Sequence, residues 1–172
     1  MLLSTLVLGG ARSGKSGYAE GLARESGLSR VYVATAQAFD DEMRLRIARH
    51  REDRANDGWV TIEEPIDLSA VIAGRAGPGT VLLVDCLTLW LSNIMLGEHE
   101  IEHVQKTLLE ALNAAAGPVI LVSNEVGLGI VPETRLGREF RDAQGRLNQA
   151  IAALVPRVVF IAAGLPLMLK AP

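Results

Sequence analysis

The segment at residues 9–16 combines glycines, a lysine and a serine in an order that suits phosphate binding. It reads Gly-Gly-Ala-Arg-Ser-Gly-Lys-Ser and matches the pattern G-x-x-x-x-G-K-[ST] at every fixed position. The glycines let backbone amides turn towards phosphate oxygens, and a helix that begins at Lys15 adds a partial positive charge. An apolar strand pattern precedes the motif and a helical pattern follows it. This context favours a P-loop over a glycine-rich turn that binds nothing.

The motif assigns different roles to its members. Lys15 is expected to be catalytic because its ammonium would reach the β- and γ-phosphates, and the Ser16 hydroxyl is expected to ligate Mg²⁺. A carboxylate at the end of a neighbouring strand is also needed, and Asp85 follows the apolar run Val81–Val84. The alternative for Asp85 is an ordinary strand-end or helix-capping aspartate before Leu87. The predicted phosphate cradle consists of Gly9, Gly10, Ala11, Arg12, Ser13, Gly14, Lys15 and Ser16.

A basic helix with one histidine is predicted over residues 41–54. Five arginines and two acids lie between Arg44 and Arg54, in a chain whose net charge is −3. Arg46 and Arg54 fall one turn on either side of His50, so this helix face could hold a triphosphate and keep the imidazole neutral and nucleophilic. From residue types alone, a solvated basic helix with a half-buried histidine is the favoured interpretation. His99 and His103 are interpreted in the same way, as parts of a solvated helix face.

A glycine-rich loop is predicted after the strand Pro118–Ser123. It begins with Asn124 and Glu125 and ends at Pro132, with glycines at 127 and 129. Loops at the carboxyl ends of parallel strands line the ligand crevice of such sheets. Asn124 and Glu125 are therefore candidate site residues, with a purely structural loop as the alternative. Glu125 is our candidate for the base that activates a substrate hydroxyl.

Apolar strand patterns alternate with longer helical patterns along the whole chain, which predicts an α/β fold with a mostly parallel sheet and helices on both faces. We expect a single P-loop NTPase-type domain over residues 1–172 and an antiparallel edge strand at Leu167–Lys170. The strands are predicted at Leu3–Leu8, Arg30–Thr35, Trp59–Glu63, Thr80–Val84, Pro118–Ser123 and Arg157–Ala163. The helices are predicted at Lys15–Glu25, Asp41–Arg54, Leu68–Arg75, Leu87–Met95, Glu100–Ala116 and Thr134–Leu154.

Composition limits the function classes. The 172 residues are 49% hydrophobic and carry a net charge of −3, which weighs against a nucleic-acid partner. The chain has no apolar run of the roughly 18 residues that a membrane span needs, and no signal-peptide pattern. A single cysteine, Cys86, excludes an internal disulfide and is interpreted as a small core residue. We therefore expect a cytoplasmic protein.

These motifs together, in this order, resemble the bifunctional adenosylcobinamide kinase/adenosylcobinamide-phosphate guanylyltransferase family of cobalamin biosynthesis. The P-loop alone is generic. Its combination with Asp-Asp-Glu-Met at residues 40–43, Arg-Ile-x-x-His-Arg at 46–51 and Asn-Glu-Val-Gly-x-Gly-Ile-Val-Pro at 124–132 is specific. The matching segments are Gly9–Ser16, Ala34–Ala36, Asp40–Met43, Arg46–Arg54, Asn124–Pro132 and Arg138–Asn148.

The resemblance implies two reactions. The family phosphorylates the aminopropanol hydroxyl of adenosylcobinamide with ATP or GTP, and then transfers GMP from GTP to that phosphate through a guanylylated histidine. By resemblance that histidine is His50, the enzyme uses Mg²⁺, and the assembly is a homotrimer. Further nucleotide contacts are implied at Ala34, Thr35, Ala36, Arg51, Glu52, Asp53, Arg54, Glu63 and Asp85.

Two other functions stay open beside the resemblance. One is a P-loop kinase of a small metabolite or nucleotide, in which His50 is structural and no covalent GMP adduct forms. The other is a nucleotide-dependent regulatory module that binds GTP and turns nothing over. The corrin-contacting residues and the preferred phosphate donor have no short sequence signature.

Overall fold

The computed structural model describes residues 3–37, 52 and 56–172, and its centre is a seven-stranded sheet with the order β3-β2-β4-β5-β1-β6-β7. Every neighbouring pair is parallel except β6 with β7. This arrangement confirms the predicted α/β class, including the antiparallel edge strand. The strands are β1 Thr5–Gly9, β2 Ser29–Ala34, β3 Trp59–Glu63, β4 Thr80–Asp85, β5 Val119–Asn124, β6 Arg157–Ala162 and β7 Leu165–Lys170.

Five described helices cover the sheet: α1 Lys15–Glu25, α2 Leu68–Arg75, α3 Leu87–Leu96, α4 Ile101–Ala114 and α5 Arg135–Leu154. Side chains alternate between the two sheet faces, so Leu6 and Leu8 pack with α2 to α5 while Val7 packs with α1. Both faces are therefore buried, which explains why the central strands are apolar throughout. Predicted and observed boundaries differ by at most two residues in most elements. The helix predicted at Asp41–Arg54 lies outside the described residues, apart from Glu52.

The carboxyl-terminal strand begins two residues earlier than predicted. Pro166 was expected to precede the strand, yet it pairs with Ile161 inside β7. Because β7 is an edge strand, the missing amide of a proline is tolerated there.

Ala163 and Gly164 make the tight turn from β6 to β7, both with positive φ (51° and 79°). The Gly164 amide donates to the Ser13 carbonyl at 2.8 Å, so this turn supports the loop between β1 and α1.

Of the helices in the described ranges, none is long and apolar enough to cross a membrane.

Candidate nucleotide site

The loop between β1 and α1 has the glycine-dependent backbone that the predicted phosphate cradle needs. Gly14 has φ +96°, a left-handed conformation that favours glycine, and it immediately precedes the first residue of α1. At Gly9 a Cβ would lie 2.5 Å from Ser13 Oγ and 2.6 Å from the Ile161 carbonyl oxygen, so only glycine fits. Gly9 is thus required by the local packing and Gly14 by the αL turn.

Lys15 lies over this loop. The residue is 8% exposed, and its Nζ donates to the Gly10 carbonyl at 3.1 Å. A buried ammonium is costly unless it is paired or hydrogen-bonded. Its charge is therefore concentrated at the cradle, where an anionic ligand would be attracted. Ser16, the next residue in the first turn of α1, is half-buried.

Asp85 ends β4 at the same edge of the sheet. The Tyr32 hydroxyl donates to Asp85 Oδ2 at 2.7 Å, which fixes one carboxylate oxygen from the neighbouring strand. Asp85 was predicted to end a strand next to β1, but β5 lies between β4 and β1. With strands about 4.8 Å apart, the β4 and β1 axes are separated by roughly 10 Å. A ligand or metal that joined both strands would therefore span β5.

Cys86 lies close enough to the charges of Asp85 and Lys15 for both to affect its thiol. Burial raises the pKa of its thiol, and the negative Asp85 raises it further, while backbone amides and the ammonium of Lys15 oppose these effects. The thiol is 7% exposed and unpaired with any disulfide partner, as a chain with one cysteine requires. Cys86 is thus a protonated core residue that lies within electrostatic reach of both Lys15 and Asp85.

Thr35 joins the ends of β2 and β4. Its hydroxyl donates to the Cys86 carbonyl at 2.8 Å and accepts from the Cys86 amide at 2.9 Å. Its own carbonyl accepts from Asn93 Nδ2 at 2.8 Å, and the same amide nitrogen donates to the Pro65 carbonyl at 3.1 Å. Thr35 is fully buried. These bonds hold the backbone that follows β2 against Asp85 and Cys86.

The loop after β5 is fixed next to the phosphate cradle. The Asn124 amide donates to Thr88 Oγ1 at 2.8 Å, and the Glu125 amide donates to the Gly9 carbonyl at 3.1 Å. Asn124 also lies opposite Gly9 in the β1–β5 register. The Glu125 carboxylate accepts from the Gly127 amide at 2.6 Å, so it turns back onto its own loop. The structure therefore brings Asn124 and Glu125 to the predicted edge.

A buried polar cluster supports this loop, and sequence reasoning missed most of it. Asn148 Oδ1 accepts from Ser123 Oγ at 2.7 Å and from Gln144 Nε2 at 3.0 Å, while Asn148 Nδ2 donates to the Asn124 carbonyl at 3.2 Å. Gln144 also donates to Ser123 at 2.9 Å. All three side chains are at most 5% exposed. The available signal was the i, i+4 spacing of Gln144 and Asn148 on the apolar face of α5.

The other predicted site residues lie partly at the ends of β2 and β3 and partly outside the described residues. Ala34 is buried and lies opposite both Glu63 and Asp85 in the sheet register. Glu63 is exposed at the end of the edge strand β3, and Ala36 is half-buried. Glu52 is exposed. His50, Arg51, Asp53 and Arg54 lie outside the described residues.

The same edge offers oxygen ligands of the kind that Mg²⁺ prefers. In residues 3–37, 52 and 56–172, no group of three His, Cys, Asp or Glu side chains is gathered as a metal site. His99 and His103 are both exposed, as expected for a solvated surface. Mg²⁺ in nucleotide sites takes few protein ligands because phosphates and waters complete its shell. The oxygen donors of Ser16 and Asp85 suit Mg²⁺ in kind.

Fold and site together define a P-loop nucleotide-binding protein. Solved structures support the fold alone, because their identities are low. The flagellar accessory protein FlaH from Methanocaldococcus jannaschii superimposes with a TM-score of 0.53 at 13% identity, covering 98% of this chain and 78% of that one. A solved ATPase domain gives a TM-score of 0.50 at 12% identity, covering 92% of this chain and 68% of that one.

Sequence relatives identify the family. The family model described as cobinamide kinase / cobinamide phosphate guanyltransferase matches residues 5–169. The bifunctional adenosylcobalamin biosynthesis protein CobP of Pseudomonas aeruginosa is 53% identical over 167 residues, covering 96% of each chain. CobU of Escherichia coli K12, with the same description, is 38% identical over 180 residues, covering 96% of this chain and 98% of the relative. The chain belongs to this family of bifunctional enzymes, which confirms the resemblance.

Proposed function

We propose that this enzyme phosphorylates the aminopropanol hydroxyl of adenosylcobinamide with ATP or GTP, and then transfers GMP from GTP to the new phosphate through a guanylylated His50. The cobinamide kinase and cobinamide phosphate guanylyltransferase activities follow from the family. The observation that carries the kinase step is the buried Lys15, whose ammonium is bonded to the Gly10 carbonyl inside the predicted cradle. Such a charge is suited to a transferring phosphoryl group.

In the kinase step the substrate oxygen would attack the γ-phosphorus, the bond from that phosphorus to the β–γ bridging oxygen would break, and the hydroxyl proton would leave to a base. Glu125 is our candidate for that base, because its amide is bonded to Gly9 beside the cradle. The amides of Gly9 to Ser16 would bind the phosphates while Lys15 neutralises the charge that develops. Mg²⁺ held by Ser16 and Asp85 would supply further charge neutralisation.

In the guanylyl step a neutral His50 nitrogen would attack the α-phosphorus of GTP, and pyrophosphate would leave. The phosphate of adenosylcobinamide phosphate would then attack the same phosphorus, which breaks the P–N bond and regenerates the imidazole. A neutral nucleophile avoids repulsion between two phosphates, and two easier transfers replace one difficult one. His50 lies outside the described residues, so its role rests on the Arg-Ile-x-x-His-Arg motif at 46–51.

Nucleotide contacts are proposed at residues that reach the same edge of the sheet. Ala34, Glu63 and Asp85 are neighbours in register at the carboxyl ends of β2, β3 and β4. The Thr35 hydroxyl is already hydrogen-bonded to the Cys86 backbone. Any nucleotide contact there would therefore be made by the adjacent backbone, which these bonds position. The remaining proposed contacts are Ala36, Arg51, Glu52, Asp53 and Arg54.

We also propose a cytoplasmic homotrimer that carries both activities on one domain. Exposed apolar side chains support self-association: Leu165, Leu167 and Leu169 on the edge strand β7 are 55–72% exposed. Light scattering at micromolar concentration should give three times the monomer mass. A monomer mass throughout that range would contradict the trimer.

The test separates the two steps with paired variants. Lys15→Ala should lose the kinase step and bind triphosphate much more weakly, while Lys106→Ala, on the exposed face of α4, should match the wild type. His50→Ala should lose guanylyl transfer and keep kinase activity, while His103→Ala should keep both. The wild-type enzyme with α-labelled GTP and Mg²⁺ should yield an acid-labile, alkali-stable adduct on the peptide that contains His50.

Other outcomes would refute parts of the proposal. A label on Lys15 or on a serine, or full guanylyl transfer by His50→Ala, would exclude the histidine intermediate. A kinase rate near wild type in Lys15→Ala would exclude the phosphate cradle. Kinase activity with no protein adduct and no guanylylated product would favour the alternative function, a P-loop kinase of a small metabolite or nucleotide.

A further inference from the structure

The middle of the loop that follows β5 exposes large apolar side chains at the catalytic edge. Leu128 is 82% exposed, Ile130 is 98% exposed and Val131 is 58% exposed. The run from Val126 to Val131 contains no polar or charged side chain. Single exposed apolar residues are normal, but several within one short loop mark a surface that another molecule covers.

This loop is anchored at both of its ends. At the start, the Asn124 and Glu125 backbones are bonded to Thr88, Asn148 and the Gly9 carbonyl. At the end, Arg138 donates to the carbonyls of Pro132 and Glu133 at 3.0 and 2.7 Å. The apolar segment between these anchors is therefore held beside β1, whose last residue begins the phosphate cradle.

We propose that residues 126–131 form the corrinoid side of the active site, and that Leu128 and Ile130 contact the corrin macrocycle of the acceptor. This inference rests on the proposed kinase function, since the acceptor hydroxyl must approach the γ-phosphate at the cradle. A corrin carries ring methyl groups and methylene chains, which match an apolar loop. A nucleoside triphosphate matches it less well, because the segment offers no charged or polar side chain to phosphate oxygens.

The position of the loop favours a substrate over a second copy of the chain. The Glu125–Gly9 hydrogen bond joins the start of the loop to the first residue of the predicted cradle, so residues 126–131 begin one residue away from that contact. The exposed apolar side chains of β7 lie on an unpaired sheet edge, where strand pairing between copies is available. The two surfaces therefore suit different partners.

The test uses the exposed positions, where substitution leaves the core intact. Leu128→Ser and Ile130→Ser should each raise the KM for adenosylcobinamide about tenfold and weaken its direct binding, followed by absorbance, by the same factor; tenfold corresponds to about 1.4 kcal/mol. The KM for GTP and the rate of self-guanylylation without corrinoid should stay within twofold of wild type. The matched control is Leu96→Ser, a 64% exposed leucine at the far end of α3, roughly 15 Å along the helix from the catalytic edge.

Three results would overturn the inference. The first is wild-type affinity for adenosylcobinamide in the double variant Leu128→Ser/Ile130→Ser. The second is an equal loss of affinity in Leu96→Ser. The third is a lower oligomer mass by light scattering in the loop variants alone, which would make this loop a contact between copies. If the wild-type chain phosphorylates no cobinamide, the proposed function fails first, and the binding measurement still reports on the loop.

Discussion

Replacement of Gly9 by alanine tests whether the phosphate cradle depends on close backbone packing. The added Cβ would lie 2.6 Å from the Ile161 carbonyl oxygen, about 0.8 Å short of the 3.4 Å at which ordinary contact begins. It would also meet Ser13 Oγ at 2.5 Å, but a serine side chain can rotate away. The Ile161 carbonyl cannot move freely, because Gly9 and Ile161 are partners in the β1–β6 pairing. The strain therefore falls on the backbone.

We expect Gly9→Ala to lower the free energy of unfolding by about 1–3 kcal/mol, the usual range for overpacking a well-packed site. For a chain of this size, each kcal/mol lowers Tm by about 2–4 °C. Because the shifted backbone starts the cradle, binding of MgGTP should weaken as well. Thermal unfolding and isothermal titration calorimetry measure the two effects.

Gly10→Ala is the matched control, since a Cβ there would have no heavy atom within 4 Å and the residue has no positive φ. Its stability should stay within about 0.5 kcal/mol of wild type, as for other substitutions that leave packing unchanged. Equal Tm values for Gly9→Ala, Gly10→Ala and the wild type would refute the steric reasoning.

Three further predictions concern the surroundings of the site. Asp85→Asn should raise the Mg²⁺ concentration needed for half-maximal turnover with little change in circular dichroism, and an unchanged Mg²⁺ dependence would return Asp85 to a structural role. Asn148→Leu should cost about 1–3 kcal/mol in denaturant unfolding, because Ser123 and Gln144 lose a buried acceptor; stability equal to wild type would contradict this. Asp67 caps α2 by accepting from the Ala70 amide at 3.0 Å, so Asp67→Ala should cost about 1 kcal/mol near pH 7. Hydrogen bonds from the Ser69 hydroxyl and then the Ala70 amide lower the pKa of Asp67, so this difference should be present above the ordinary carboxyl range and vanish as pH falls through the lowered pKa; a pH-independent difference would refute it.

Much of this architecture was predictable because local patterns and packing agree. The apolar runs that become β1, β4 and β5 are buried on both faces, so their composition reports their environment directly. Lys15 is predictable for a different reason, since the motif that contains it needs its glycines for the turn. The Gly14 φ of +96° and the crowding at Gly9 bear out that requirement.

What the sequence could not predict depends on contacts between distant segments. No local pattern says that β5 inserts between β1 and β4, so Asp85 was expected one strand closer to the cradle. Asn148 and Gln144, four residues apart in a long helix, form buried hydrogen bonds with Ser123 of β5, a partner that no local pattern identifies. The edge strand was predicted to begin after Pro166, but this proline pairs with Ile161 inside β7. In each case a contact with another segment decides the role of the residue.

Parallel labelling with GTP that carries ³²P at the γ- or the α-phosphate tests whether one corrinoid receives two transfers from nucleotide. The purified chain is incubated with Mg²⁺ and adenosylcobinamide, and both the protein and the corrinoid products are followed over time. We predict that γ label enters a corrinoid monophosphate first, and that α label enters the protein and then a corrinoid diphosphate ester. Phosphate release into water with both corrinoid and protein unlabelled would contradict it.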